Sequence, residues 1–164
     1  MLDLYYKELR EKDRIRLKNS NWWNVYNDYY EYDKRIVKIV KFKEKGLWLE
    51  KLEGFRLDHL DSLRQLSNTQ IRFVLNEIMD IYSNQFQFQH ESLSSDQVFI
   101  HNDVQLGNFM YCDGEVRLID PEAFQFRLIN VWDIHYAKIM ESIFKLSSVI
   151  GERTITTGKE TNGK

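Results

Sequence analysis

Apolar positions in this chain change their period several times, and each change predicts an element. Between residues 71 and 82, Ile71, Val74, Leu75, Ile78, Ile81 and Tyr82 recur at helical spacing and predict a helix with one apolar side. Ser67-Asn-Thr-Gln70, just ahead of it, has the spacing of a capping box. The polar stretch 83–96 predicts the end of that helix in a loop, and Leu57, Leu60, Leu63 and Leu66 predict a short helix before it. Towards the C-terminus, residues 123–130 read as a crossing segment. Residues 131–146 then predict a last helix whose inner side is Ile134, Ile139, Ile143 and Phe144. At the other end, residues 2–17 alternate charges with Leu2, Leu4, Leu9, Ile15 and Leu17, which predicts a weakly amphipathic, broken helix. Residues 21–33 place Trp22, Tyr26, Tyr29 and Tyr30 on one helical face. Two readings stand for that face: packing against the domain, or a cage for a quaternary ammonium, which stacked rings attract.

Period-two and β-branched stretches predict the strands. Residues 35–42 (Arg-Ile-Val-Lys-Ile-Val-Lys-Phe) read as one strand, 43–46 as a turn, and 47–52 as its partner. Asp113-Gly114 is a two-residue hairpin signal, because both turn positions need positive φ. That turn sets Cys112 against Glu115, Tyr111 against Val116, Met110 against Arg117 and Phe109 against Leu118. Asn108 then faces Ile119, one residue from Asp120. The predicted class is α+β, with residues 1–150 forming one domain and residues 151–164, poor in apolar groups, a disordered tail.

Composition narrows the function classes. A chain of 164 residues with 43% hydrophobic and 29% charged residues can build one real core. A net charge of −2 argues against nucleic acid as a partner. No apolar run approaches a membrane span, and the charged first residues lack the apolar centre of a signal peptide. The single cysteine, Cys112, cannot close an internal disulfide, which suits a reducing, cytoplasmic setting; no motif surrounds it, so it reads as a strand residue.

The candidate chemistry lies in Phe99-Ile-His-Asn-Asp-Val-Gln-Leu-Gly-Asn108 and in Asp120-Pro121-Glu122. Phosphoryl transfer needs a carboxylate beside the attacking hydroxyl and oxygen ligands for Mg²⁺ on the phosphates. Asp103, Asn108 and Asp120 are groups of those types. Hard Mg²⁺ takes only one or two carboxylates from a protein, so an Asn carbonyl with an Asp carboxylate is a suitable pair.

The same stretch resembles the aminoglycoside phosphotransferase and choline/ethanolamine kinase families of the protein-kinase-like fold. His101-Asn102-Asp103 with Gln105, Gly107 and Asn108 is similar to their catalytic loop, and Leu118-Ile119-Asp120-Pro121-Glu122 to their metal-binding loop. Trp132-Asp133-Ile134 looks like the start of the helix that follows. The resemblance spans roughly residues 47–140. It implies ATP and Mg²⁺ as cofactors and a small-molecule alcohol as acceptor, choline-, ethanolamine- or sugar-like. It makes Asp103 the catalytic base, Asn108 and Asp120 the metal ligands, and His101 the brace of the loop. Asp133 would hold the loop backbone from below. Glu50, Lys51 and Leu52 would be the hinge whose backbone binds the adenine. Gln105 stands where protein kinases carry a Lys, which favours a small-molecule kinase.

The resemblance is incomplete. No glycine precedes Gly46, so a Gly-rich phosphate loop is missing, and Lys38 and Lys41 lie on what reads as the fourth strand. Residues 1–52 are then the remnant of a small lobe, reduced to a β-hairpin and lacking its first three strands and their Lys. Residues 53–150 form the core of a mainly helical larger lobe that includes the catalytic-loop hairpin. Two functions follow. One is a minimal phosphotransferase, its small lobe completed by the N-terminal segment, a second copy or a partner. The other is a non-catalytic kinase-like module that binds a nucleotide or a protein. A chain whose remainder lies upstream is a third reading.

Overall fold

In the computed structural model, which describes residues 3–19 and 21–161, three small sheets are joined by helices into a mixed α+β architecture. The first sheet contains β1 (Leu4–Glu8), β2 (Ile39–Lys43) and β3 (Gly46–Glu50), in the order β1-β3-β2 with antiparallel neighbours. Between β1 and β2 lie α1 (Glu11–Asn19) and α2 (Trp22–Tyr32). The expected helix over residues 2–17 is therefore a strand followed by a helix, and the expected hairpin has a third strand. The reason is that β1 pairs with the outer edge of β3, a tertiary choice that overrides weak local pattern. Its residues are mostly exposed, so no alternation marks them. The helix starts only at Glu11, where Glu11 and Asp13 sit in the first turn and Arg16 and Lys18 in the last, matching the helix dipole.

The second sheet has the order β4-β6-β7, from β4 (Phe55–Arg56), β6 (Phe109–Cys112) and β7 (Glu115–Leu118). The third pairs β5 (Gln97–His101) with β8 (Phe124–Leu128), placing His101 opposite Phe124. The crossing segment expected at 123–130 is thus largely a strand. Its alternation is masked because Phe124 is buried while Gln125 to Arg127 are all half-buried.

α3 (Leu60–Leu63) is shorter than the Leu spacing suggests, and α4 (Asn68–Gln87) opens on the expected capping box. There the Gln70 N–H donates to Ser67 Oγ at 3.1 Å and the Ser67 N–H donates to Gln70 Oε1 at 2.8 Å. α4 runs a turn further than its polar sequence implies. Gln85 is fully buried and accepts from the His101 N–H, and Phe86 meets the Trp132 ring edge-on at 4.6 Å.

The last helix, α5 (Trp132–Thr161), corrects two expectations. Its inner stripe is His135, Ile139, Ser142, Leu146 and Val149, whereas Ile134 and Phe144 are 61% and 77% exposed. The polar His135 and Ser142 disguise the phase of the stripe. The helix also continues past Leu146 through the segment expected to be a disordered tail; residues 162–164 lie outside the described residues. One glycine, Gly151, does not stop it, and Arg153 anchors it by donating to Asn68 Oδ1 and to the carbonyl oxygen of Arg64, both at 2.8 Å.

The α2 face is core. Trp22 stacks on Tyr26 at 4.8 Å, Tyr26 and Tyr29 lie against Phe124, and Tyr29 meets Phe88 edge-on at 4.9 Å. Two of its polar tips are satisfied, Trp22 Nε1 by the Phe124 carbonyl and the Tyr26 hydroxyl by the Val37 carbonyl, while the Tyr29 hydroxyl is buried without a partner. With the rings filled by one another, the cage reading gives way to packing, each buried ring contributing roughly 2–3 kcal/mol. Beside this core, Asp33 accepts two hydrogen bonds from the Arg35 side chain, which also pairs with Glu77 and Asp80 on α4. Among the described residues no helix is long and apolar enough to cross a membrane.

Candidate functional site

The turn that organises the site is built as its residues demand. Asp113 and Gly114 have φ of 49° and 83°, and the β6–β7 register is the expected one, from Cys112 opposite Glu115 to Phe109 opposite Leu118. The ladder extends one step further, since the Ile119 N–H donates to the Asn108 carbonyl at 2.8 Å. Asn108 and Asp120 are therefore neighbours at one end of the hairpin. Asp120 itself is left-handed, with φ 59° and ψ 62°, an uncommon conformation for a residue with a side chain. It turns the chain out of β7 into the single turn Pro121–Ala123 that leads to β8.

Asp103 is held through its backbone from both sides. Its N–H points at His101 Nδ1 at 3.4 Å, and its carbonyl accepts from Asn108 Nδ2 at 2.7 Å. His101 is fully buried and donates from Nε2 to the Ile119 carbonyl at 2.8 Å. Burial pushes its pKa below the ordinary value, against the raising effect of that bond, so the ring is neutral. One tautomer, protonated at Nε2, satisfies both contacts. His101 thus braces both the Asp103 loop and the strand entering Asp120. The Asp103 carboxylate is exposed, with Gln105 Nε2 donating to it at 3.0 Å. Underneath the loop, a Cβ on Gly107 would lie 2.7 Å from Arg56 Nη2 and 2.8 Å from Asp58 Oδ2, so a larger residue there would push that exposed ion pair aside.

Asp133 does not support this loop. It is exposed in the first turn of α5, and among the described hydrogen bonds of residues 101–108 none comes from it. Gln85 of α4, bonded to the His101 N–H, takes that place.

The residue that the sequence did not reveal is Lys7. It stands on β1, and its Nζ lies 2.6 Å from Asp120 Oδ1 and 2.5 Å from Glu122 Oε1. Burial works against its charge, but the bonds to Asp120 and Glu122 outweigh that and raise its pKa. A strand lysine therefore does meet the acidic end of the hairpin, where a reading of β2 and β3 alone finds none. Lys41 is turned away over the Trp48 ring at 5.3 Å. The Glu122 Oε2 atom is buried without a partner. α1 is pinned to the same turn by Arg16, which donates to the carbonyls of Glu122 and Phe124.

Two cavities meet at Asp120. The first, of about 350 Å³, lies between the sheet of β1 to β3 and the hairpin and is bordered by Lys7, Glu50, Lys51, Leu52, Met110 and Asp120. The three expected hinge residues do line one cavity with Asp120, but their groups are unequal. The Glu50 carboxylate is tied to Arg117 and to the Lys38 N–H, and the Lys51 N–H donates to the Asp3 carbonyl at 2.9 Å. The second cavity, of about 310 Å³, is polar and joins Asp103 to Asp120.

Among the described residues no group of three or more His, Cys, Asp or Glu side chains is placed to hold a metal. The donors present here are of another kind. Asn108 commits its NH₂ to the loop, leaving its carbonyl oxygen to offer a cation, and Asp120 offers a carboxylate now shared with an ammonium. This set fits Mg²⁺ only where phosphates and water complete the shell. No protein-family model matches the sequence, and no curated protein matches it.

Proposed function

We propose that the chain is an ATP-dependent phosphotransferase of the protein-kinase-like type that acts on a hydroxyl of a small molecule in the cytoplasm. One observation carries the reading. Asp103 is clamped by its backbone between His101 and Asn108, and Asn108 in turn lies beside Asp120, at the junction of an apolar-walled cavity and a polar one. Nucleotide occupies the first cavity, with its base near Leu52 and its phosphates towards Asp120 and Lys7. The acceptor hydroxyl lies on the Asp103 side.

In this mechanism Asp103 orients the acceptor hydroxyl and takes its proton as the oxygen attacks the γ-phosphorus. Gln105 fixes the rotamer of that carboxylate. His101, neutral and doubly bonded, keeps the loop and the Asp120 strand at a constant distance. Mg²⁺, held by Asp120 and the Asn108 carbonyl, would neutralise phosphate charge. Lys7 leaves Asp120 for the phosphates and adds a positive charge in the space that a Gly-rich loop covers in larger kinases.

A second reading, the non-catalytic module, is favoured by the Lys7 ammonium, which fills the space between Asp120 and Glu122. Acceptor-dependent release of ADP from Mg-ATP, compared between the natural chain and Asp103→Ala, separates the two. The phosphotransferase reading expects a fall of about 10³-fold or more; equal rates favour the module.

A further inference from the structure

We infer that the acceptor binds in the polar cavity between α1 and the Asp120–Gln125 turn, and that it is a compact polyhydroxylated alcohol. The inference rests on the phosphotransferase reading and adds to it the place and chemical class of the substrate.

Position comes first. Of the two cavities, Asp120 borders both, but Asp103 borders only the polar one. A hydroxyl within reach of the Asp103 carboxylate is therefore in that cavity, and a phosphate beside Lys7 reaches it across Asp120, the residue that the two cavities share. Its volume of about 310 Å³ suits a molecule of a few carbons up to a single ring.

The lining sets the class. Asn102 gives its Oδ1 to Arg127 at 3.1 Å, so its NH₂ is left to donate. Gln125, on β8, adds an amide with both donor and acceptor. Asp13, at the α1 wall, accepts from Arg10 at 2.9 Å and Arg16 at 3.3 Å, which holds its carboxylate in place. Amides that donate, and carboxylates that accept, are matched by a group that does both, and the hydroxyl is that group. No aromatic side chain is among the described residues lining the cavity, and Arg10, Arg16 and Lys7 pair with Asp13, Asp120 and Glu122, which leaves the Asp103 carboxylate to the acceptor. A quaternary ammonium finds no aromatic rings there to hold it.

The test uses the full chain with Mg-ATP and follows phosphomonoester formation by phosphorus NMR. Glycerol, myo-inositol and glucose are compared with choline and ethanolamine. The expected result is a kcat/KM at least about tenfold higher for one polyol than for choline. In Gln125→Leu, KM for that polyol rises about tenfold while KM for ATP moves far less. Preference for choline, or equal changes in both KM values, overturns the inference. If no acceptor is phosphorylated and nucleotide does not bind, the phosphotransferase reading itself fails. The cavity is then judged alone by polyol-induced shifts in proton–nitrogen spectra: shifts at Asn102 and Gln125 side-chain amides that vanish in Gln125→Leu uphold it, and no shift overturns it.

Discussion

The Lys7 ammonium lies 2.6 Å from the Asp120 carboxylate although the two residues are 113 positions apart. It joins the outermost strand of one sheet to the end of a hairpin in another. Glu122 completes the arrangement on the other side of the ammonium at 2.5 Å. A cation thus sits between two carboxylates at the point where the two cavities meet.

In the proposed mechanism Lys7 and Mg²⁺ compete for the same carboxylate. Replacing Lys7 by Met leaves Asp120 and Glu122 facing each other without a counter-charge. Mg²⁺ alone is expected to raise the melting temperature of Lys7→Met more than that of the natural chain, while phosphotransfer falls about 10²-fold through loss of charge on the phosphates. Identical responses to Mg²⁺ in thermal unfolding contradict a shared cation position.

The Asp33–Arg35 pair is expected to matter for stability, not for chemistry. Asp33 is 5% exposed and receives Arg35 twice as well as the Asn84 amide at 3.0 Å. Arg35→Ala leaves a buried carboxylate without its cation and is expected to cost about 3 kcal/mol in urea unfolding. Burial raises the Asp33 pKa, but the Arg35 and Asn84 bonds prevail and lower it below the ordinary 3.8. The stabilisation from ionised Asp33 is therefore full above that value and is lost as pH falls below it towards the lowered folded value. Asn at position 33 should flatten that part of the acid-unfolding curve.

His101 produces a second pH window of its own. Its folded pKa is pushed down from 6.5 by burial, so below about pH 6.5 the unfolded chain binds a proton that the folded chain resists. Stability is accordingly greatest above the unfolded value and declines as pH falls through it. His135, likewise lowered by burial, acts in the same direction. Urea midpoints measured from about pH 7.5 to about pH 5.5 should fall, and the fall should shrink in His101→Gln. A midpoint that rises over this range contradicts a buried neutral imidazole.

The phase of α5 is open to a direct comparison. Ile139 is 2% exposed and Ile134 61%. Ile139→Ala is expected to cost about 2–4 kcal/mol, and Ile134→Ala less than about 0.5 kcal/mol. Equal costs in denaturant melts would place the helix in another rotation.

How much of this was legible depended on how local the physics was. The hairpin register follows from two turn residues, because Asp113-Gly114 fixes every pair up to Asn108 and Ile119. The capping box at Ser67 is equally local. The α5 face is hidden in the sequence because two polar residues, His135 and Ser142, lie in the buried stripe. β1 is hidden because an exposed edge strand is specified by its partner β3 and not by its own pattern. Lys7 could not be assigned for the same reason. The one signal in the sequence is that β3, with β2 on one side, has a second edge that another strand can cover. Asp133 illustrates the opposite case, a role carried over from a resemblance onto a side chain that the fold leaves exposed.

The central claim is that Asn108 and Asp120 form one cation site on the phosphates of a nucleotide bound beside Leu52. Calorimetric titration of ATP, with and without Mg²⁺, into the natural chain and into Asn108→Ala and Asp120→Asn tests it most directly. The account expects Mg²⁺ to tighten ATP binding by about tenfold or more in the natural chain, and expects both substitutions to abolish that gain. ATP binding that is absent, or that Mg²⁺ strengthens equally in all three proteins, would contradict it.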